Sequence, residues 1–255
     1  PCLACYYCKA GAEHLCTRST LFGYALDGGL ADYVRIPAQA MERGGVFRAE
    51  SNVSAVEAAL AEPLGCVLNG AANYQPDAGD TVVVIGAGPI GLLHTQVNRL
   101  YGASQVIVSD PAGERRALAE KLGATHTVDP TAQDLGEFVR GLTDGRGADV
   151  AVICIGHNAL VQQAFQIVRK RGRVNAFAGF PKGALSNMDP NLIHYGELVV
   201  TGASNSGRAS HEKALRLISE GAIDVKSLHT HTFELDDVVE GIEFAVSGSG
   251  VKVAI

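Results

Sequence analysis

No apolar run in this 255-residue chain reaches the ~20 residues a helical membrane span needs, although 47% of its residues are hydrophobic. No basic run stands out, and the net charge is −6, which sets aside nucleic acid and anionic membrane as partners. Cysteine is scarce beyond residue 16, where only Cys66 and Cys154 occur, so a disulfide framework and a secreted setting are not expected. No signal peptide opens the chain, and it begins at Pro1 rather than Met. The expectation is a cytoplasmic protein seen as an N-terminal truncation, with any targeting segment outside the sequence. What remains is long enough for one large or two ordinary domains.

The organising stretch is Thr81 to Asp110. Five residues, Thr81-Val82-Val83-Val84-Ile85, read as a buried strand and feed Gly86-Ala87-Gly88-Pro89-Ile90-Gly91. An apolar helical run reaches Leu100, with Gly102 suited to the C′ position, and Gln105 to Ser109 forms a second strand ending at Asp110. This is the dinucleotide-binding fingerprint in its required setting. Gly86 serves the sharp turn, Gly88 the approach of a pyrophosphate, and Gly91 the contact of helix with strand. The helix N-terminus directs free N–H groups and its positive dipole end at the phosphates. Asp110, 19 residues after Gly91, suits the hydroxyls of an adenosine ribose. A 2′-phosphate beside it costs on the order of 4 kcal/mol at ~4 Å and an effective dielectric of about 20, so NAD is expected over NADP. An ordinary turn role before Pro111 is the bland alternative for Asp110.

Cys2, Cys5, Cys8 and Cys16 form a C-x2-C-x2-C-x7-C pattern. Thiolates this close can share one tetrahedral zinc, and a fully sulfur-filled site leaves no position for substrate, which makes such a zinc structural. A redox or disulfide role is the competitor, disfavoured because a two-residue gap closes a small strained loop.

Downstream, α/β alternation continues. Helices are expected over Glu114–Leu122, Asp134–Leu142, a face from Leu160 to Val168, His211–Glu220 and Asp236–Val246. Strands are expected at Thr125–Val128, Asp149–Ile155, Arg173–Ala178, Leu198–Ser204, His231–Phe233 and Val251–Ile255. Alternation of this kind implies right-handed crossovers and a doubly wound parallel sheet, with ligands outside the carboxyl ends of its strands. Upstream, Asp27-Gly28 reads as a hairpin signal and Leu30 to Ile36 as a half-buried strand. His229 and His231, two apart on a strand and lacking a third ligand, read as ordinary strand residues rather than a metal site.

The four-cysteine lobe followed by Gly-x-Gly-x-x-Gly resembles the zinc-dependent medium-chain dehydrogenases, most nearly the sorbitol (polyol) and threonine dehydrogenase branch, over essentially the whole chain. The resemblance implies an α/β fold in which a doubly wound Rossmann sheet (64–206) binds NAD. A partial β-rich, GroES-like catalytic domain (1–63) would carry the zinc lobe, and residues 207–255 would return to it. It places Glu62, in Glu-Pro-Leu, at a catalytic zinc or its bound water; the alternative for Glu62 is a helix-start acid beside Pro63. It sets Arg115 against the adenosine end of NAD, where a solvated basic face shared with Arg116 and Lys121 competes. Topology and resemblance together put Ile155, Gly156, Gly179, Phe180, Ala203 and Ser204 near the nicotinamide. The remaining catalytic zinc ligands of the family lie upstream of the lobe, outside this sequence. The implied reaction moves hydride from a secondary alcohol of a polyol, cyclitol or amino alcohol to NAD, with zinc as Lewis acid. Homodimers or homotetramers are the rule in the family. Competing readings are a zinc-independent quinone or enoyl reductase of the same superfamily, whose members generally lack the cysteine lobe, and a non-catalytic NAD-binding protein.

Overall fold

A computed structural model describes all 255 residues, and these divide into two compact units: Pro1–Cys66 with Ser204–Ile255, and Val67–Ala203.

In the first unit the short helices α1 (Tyr6–Lys9), α2 (Ala38–Glu42) and α3 (Ala55–Ala59) precede α4 (Ala61–Tyr74). Helix α3 starts on a reciprocal cap. The Ser54 hydroxyl accepts the Glu57 N–H, and the Glu57 carboxylate accepts the Ser54 N–H at 2.9 Å. The strand expected over Leu30–Ile36 is not formed: the segment pairs with no other strand, and Leu30, Tyr33, Val34 and Ile36 are all exposed. Alternation states which side chains share a face, but a strand also needs a neighbour to take its N–H and C=O groups.

The second unit carries β1 (Thr81–Ile85), α5 (Pro89–Leu100), β2 (Gln105–Ser109), α6 (Gly113–Lys121), β3 (His126–Val128), α7 (Leu135–Leu142), β4 (Ala148–Ile153), α8 (Ala159–Ile167), β5 (Val168–Ala176), α9 (Pro190–Gly196) and β6 (Val199–Gly202). All six strands are parallel in the order β3-β2-β1-β4-β5-β6, the doubly wound arrangement. Strand β1 is central and buried from end to end, which is why its run is continuously apolar rather than alternating. Val83, Ile85, Ile107, Ile153 and Phe165 pack with Leu135 and Val139 into the core. Each such side chain contributes roughly 1.5–3 kcal/mol on burial. Helix α9 is an element that the expected alternation lacks. Its signal is Asp189-Pro190: the Asp189 carboxylate accepts the Asn191 N–H at 2.9 Å, and Pro190 occupies the first helical position.

Against the expectation of no basic run, Arg169, Lys170, Arg171 and Arg173 form a basic cluster. The structure pairs most of it off: Arg169 binds Asp149 at 2.5 Å, and Arg173 binds Asp80 at 2.5 Å and Asp77 at 3.2 Å. Asp149 also accepts the Thr81 N–H at 2.8 Å, so these pairs fasten the entry ends of β1, β4 and β5 and leave the exit ends to the loops. Arg171 lies at φ +58° and faces Glu197, itself at φ +48°, in a 3.8 Å pair with both side chains exposed. A left-handed conformation costs a non-glycine residue roughly 1–2 kcal/mol, and an exposed pair returns at most about 1. Arg171→Gly is therefore expected to raise the melting temperature by about 2 °C; an unchanged or lower midpoint in a thermal melt refutes this.

The chain closes in the first unit with α10 (Arg208–Ser219), β7 (His229–Thr232), α11 (Val238–Ser247) and β8 (Lys252–Ala254), β7 pairing with β8. Helix α10 begins three residues before the expected His211.

Candidate active site

The glycine turn joins β1 to α5. Gly86 sits at φ +100°, open only to glycine without strain. A Cβ on Gly91 would lie 1.8 Å from the Gly86 carbonyl oxygen and 3.3 Å from Val84 Cγ1, so helix and strand are in backbone contact. A Cβ on Gly88 meets nothing within 4 Å, which leaves open space above the backbone there. Gly88 is the N-cap of α5 and Pro89 fills the first turn. The intrahelical ladder begins with the Leu92 N–H on the Gly88 carbonyl at 3.0 Å, so the Ile90 and Gly91 amides stand ahead of it, free for an anion.

Asp110 is buried at the end of β2. Its Oδ2 accepts the Ala87 N–H at 2.7 Å and its Oδ1 the Ala112 N–H at 2.8 Å. The carboxylate thus braces the glycine turn and makes an Asx turn before α6, while each oxygen keeps a further lone pair for a ribose hydroxyl. The two neighbouring arginines divide their work. Arg116 donates to the Asp110 and Pro111 carbonyls at 2.7 and 2.8 Å and pairs with Asp129 at 3.2 Å. Arg115 lies half-buried in the first turn of α6.

Ile155 and Gly156 follow β4, Gly179 and Phe180 follow β5, and Ala203 and Ser204 follow β6. The first two loops meet backbone to backbone: a Cβ on Gly156 would lie 2.0 Å from the Gly179 carbonyl oxygen and 3.3 Å from Phe180 Cα. A Cβ on Gly86 would lie 3.6 Å from Ile155 Cβ, so this surface adjoins the glycine turn. Ile155 is half exposed there, an apolar side chain at the exit end of the sheet.

In the other unit the four sulfurs of Cys2, Cys5, Cys8 and Cys16 lie within 4.8 Å of one another, and none is in a disulfide. Sulfur separations of 4.0 Å (Cys2–Cys8), 3.5 Å (Cys5–Cys8) and 3.9 Å (Cys5–Cys16) bracket the ~3.8 Å edge of a tetrahedron with ~2.3 Å zinc–sulfur bonds. The Cys5 N–H reaches Cys2 Sγ at 3.3 Å, and the Cys2 and Arg18 N–H groups reach Cys16 Sγ at 3.2 and 3.4 Å. Amide donors from Ala4 and Cys5 bring the Cys2 thiol down to about 5, toward the thiolate a metal takes, whereas desolvation and neighbouring sulfurs push Cys8 up to about 11. The donor set and spacing fit zinc.

Glu62 is exposed on the first turn of α4. It joins no converging set of three ligands, the cysteine cluster being the one such group in the chain. Cys66 donates to Glu62 Oε1 at 3.2 Å, and desolvation followed by the Glu62 charge pushes its thiol up to about 12. Two residues that sequence reasoning missed stand close by. Ser206 Oγ and His211 Nδ1 are 3.3 Å apart, and both lie within 3.5 Å of where a Gly65 Cβ would sit. Burial lowers the His211 pKa while the Glu62 charge opposes it, and the imidazole stacks on Phe47. No spacing marks this pair, which meets Gly65 of α4 from 141 and 146 residues away. His229 is held by the His231 carbonyl and the Thr232 hydroxyl, both at 2.9 Å.

A family model described as zinc-binding dehydrogenase matches residues 89–220. The erythritol/L-threitol dehydrogenase of Mycolicibacterium smegmatis is 35% identical, over 100% of this chain and 70% of its own. The L-threonine 3-dehydrogenase of Pyrococcus furiosus is 36% identical, over 99% and 71%. A solved structure described as a zinc-binding dehydrogenase, from Sinorhizobium meliloti 1021 and bound to NADP, superposes with a TM-score of 0.92 at 34% identity, covering 100% of this chain and 73% of that one. The chain belongs to the zinc-binding dehydrogenase family. It is an oxidoreductase acting on alcohols, with zinc and NAD as cofactors.

Proposed function

We propose that this dehydrogenase oxidises a secondary alcohol of a polyol, cyclitol or amino alcohol, in line with the erythritol, threitol and threonine named for its relatives. The observation that carries the zinc-dependent reading is the convergence of four free sulfurs at zinc-compatible spacing. Bound zinc supplies Lewis acidity toward the substrate oxygen, and bound NAD accepts hydride. Cys2, Cys5, Cys8 and Cys16 hold the structural zinc, and Glu62 serves as a ligand of the second metal or its water. The amides of Ile90 and Gly91 take the pyrophosphate over Gly88, Asp110 takes the adenosine ribose, and Arg115 lies along the adenosine. Ile155, Gly156, Gly179, Phe180, Ala203 and Ser204 form the nicotinamide wall. Residues 64–206 serve as the NAD domain, with 1–63 and 207–255 on the catalytic side. A homodimer or homotetramer working in the cytoplasm completes the reading; no helix is long and apolar enough to cross a membrane.

A panel of polyols, cyclitols and amino alcohols, followed by NADH formation, tests the substrate class; turnover confined to quinones or enoyl substrates overturns it. For the lobe, the expected zinc content is one per chain, lost in Cys5→Ser; metal analysis showing equal zinc in both proteins removes the assignment. For the dinucleotide, NADH is expected to bind at least ~100-fold tighter than NADPH, about 2.7 kcal/mol of the like-charge penalty at Asp110, with the gap narrowing in Asp110→Ser. Calorimetric titration that ranks NADPH first contradicts the ribose role of Asp110.

A further inference from the structure

Glu13 lies in the 3-10 turn Glu13–Leu15, inside the thiol lobe and three residues before Cys16, yet its carboxylate is spent 195 positions away. Its Oε1 accepts the Arg208 N–H at 2.6 Å, and the Arg208 Nε–H bridges both carboxylate oxygens at 3.1 and 3.0 Å. Gly207 is the N-cap of α10 and offers no side-chain oxygen, so Glu13 supplies the missing cap. Arg208 Nη1 also donates to the Arg43 carbonyl at 2.6 Å, and Arg43 Nη1 donates to the carbonyl of Pro1, next to Cys2, at 3.1 Å. Both ends of the lobe are thus tied to the start of α10. Ser206, the residue before that N-cap, and His211, in the first turn of α10, meet α4 at Gly65, between Glu62 and Cys66.

We propose that Glu13 and Arg208 are positioning residues, which make the placement of Ser206 and His211 beside Glu62 depend on zinc in the four-thiol lobe. This rests on the lobe holding zinc and on Glu62 being a ligand of the second metal or its water. Cys16 is the one buried residue among the first sixteen, so the lobe has no apolar core to order it and relies on its metal. Loss of the metal frees Glu13 from the α10 N-terminus. The helix then loses its cap, Arg208 loses a two-pronged partner, and the Ser206–His211 pair loses its fixed distance from α4. Coupling of this kind is reciprocal, so breaking the Glu13–Arg208 pair must also weaken zinc binding.

The test uses the full chain with ¹⁵N-labelled histidine, the His211 ring signals being assigned with His211→Gln. In the otherwise unaltered protein, Cys5→Ser is expected to move the His211 signals, and zinc addition to wild type to restore them after chelation. In Glu13→Gln and Arg208→Met they sit at the zinc-free position with or without metal, and Arg208→Lys recovers part of the response. Competition with a chromophoric chelator is expected to give ~10-fold weaker zinc binding for Glu13→Gln. His211 signals in wild type that ignore lobe zinc, or zinc affinity unchanged in Glu13→Gln, overturn the coupling. A wild-type chain that binds no zinc at the lobe overturns it together with the zinc reading.

Discussion

Replacing Gly91 by alanine is expected to cost both the fold of the nucleotide unit and its ligand, whereas replacing Gly88 costs the ligand alone. The alanine methyl at position 91 would stand 1.8 Å from the Gly86 carbonyl oxygen and 2.9 Å from its carbon, both backbone atoms that cannot swing aside. Helix α5 must move off β1 by an ångström or more. Overpacking of this kind costs roughly 1–3 kcal/mol, and a 1 Å displacement of the Ile90 and Gly91 amides costs on the order of 100-fold in productive binding. At Gly88 the methyl meets no protein atom within 4 Å, so the melting temperature should hold while the methyl occupies the space the pyrophosphate needs. Gly156→Ala, 2.0 Å from the Gly179 carbonyl oxygen, should behave like Gly91→Ala at the nicotinamide end. The chain has no tryptophan, so NADH fluorescence reads binding without interference, beside a thermal melt. Equal behaviour of the Gly88 and Gly91 variants in both measurements refutes the division of labour between the two glycines.

The parts of the molecule visible from sequence are those whose cause is local. Five consecutive β-branched residues before Gly86 announce a strand buried on both faces, and the glycine spacing announces the turn, because each residue there answers to its own backbone geometry. Cysteines with two residues between them converge because a short chain leaves them little else to do. The parts that were hidden depend on distant partners. Leu30–Ile36 has the alternation of a strand but no neighbour to pair with. The start of α10 is set by Glu13, which no local window around Gly207 contains. Cys66 looks like a core residue until Glu62, one helical turn earlier, is seen to accept its hydrogen bond. Arg115 and Arg116 are indistinguishable as letters, but 100° of helical rotation sends only Arg116 to the Asp110 carbonyl and Asp129. Helix α9 is the exception, since its Asp-Pro start was in plain view and only its shortness concealed it.

The same distinction between local cause and tertiary burial governs how the nucleotide unit should respond to acid. His94, on α5, is completely buried; its Nδ1 lies 3.1 Å from the Tyr74 hydroxyl and its Nε2 has no partner. Tyr74 and Asn98 satisfy each other, and the Phe177 ring closes over the imidazole edge-on at 4.6 Å. Burial therefore brings His94 down to about 3, from an ordinary value of 6.5. The folded-state value is the lower one, so between pH 6.5 and 3 the unfolded chain takes up a proton that the native chain refuses. Stability from this group is undiminished above pH 7 and falls by roughly 1.4 kcal/mol per unit of pH below 6.5, about 2 kcal/mol by pH 5. Titrating carboxylates add their own pH dependence, but it is common to wild type and variant and cancels in the difference. His94→Leu removes the titrating ring, at a cost near neutrality of roughly 1 kcal/mol for the lost Tyr74 hydrogen bond. Urea unfolding at pH 7.5 and pH 5.0 is then expected to show the wild type losing about 2 kcal/mol more than His94→Leu over that interval. Parallel losses in the two proteins mean that His94 takes up its proton in the native state, and the sealed pocket around Nε2 is then open to water.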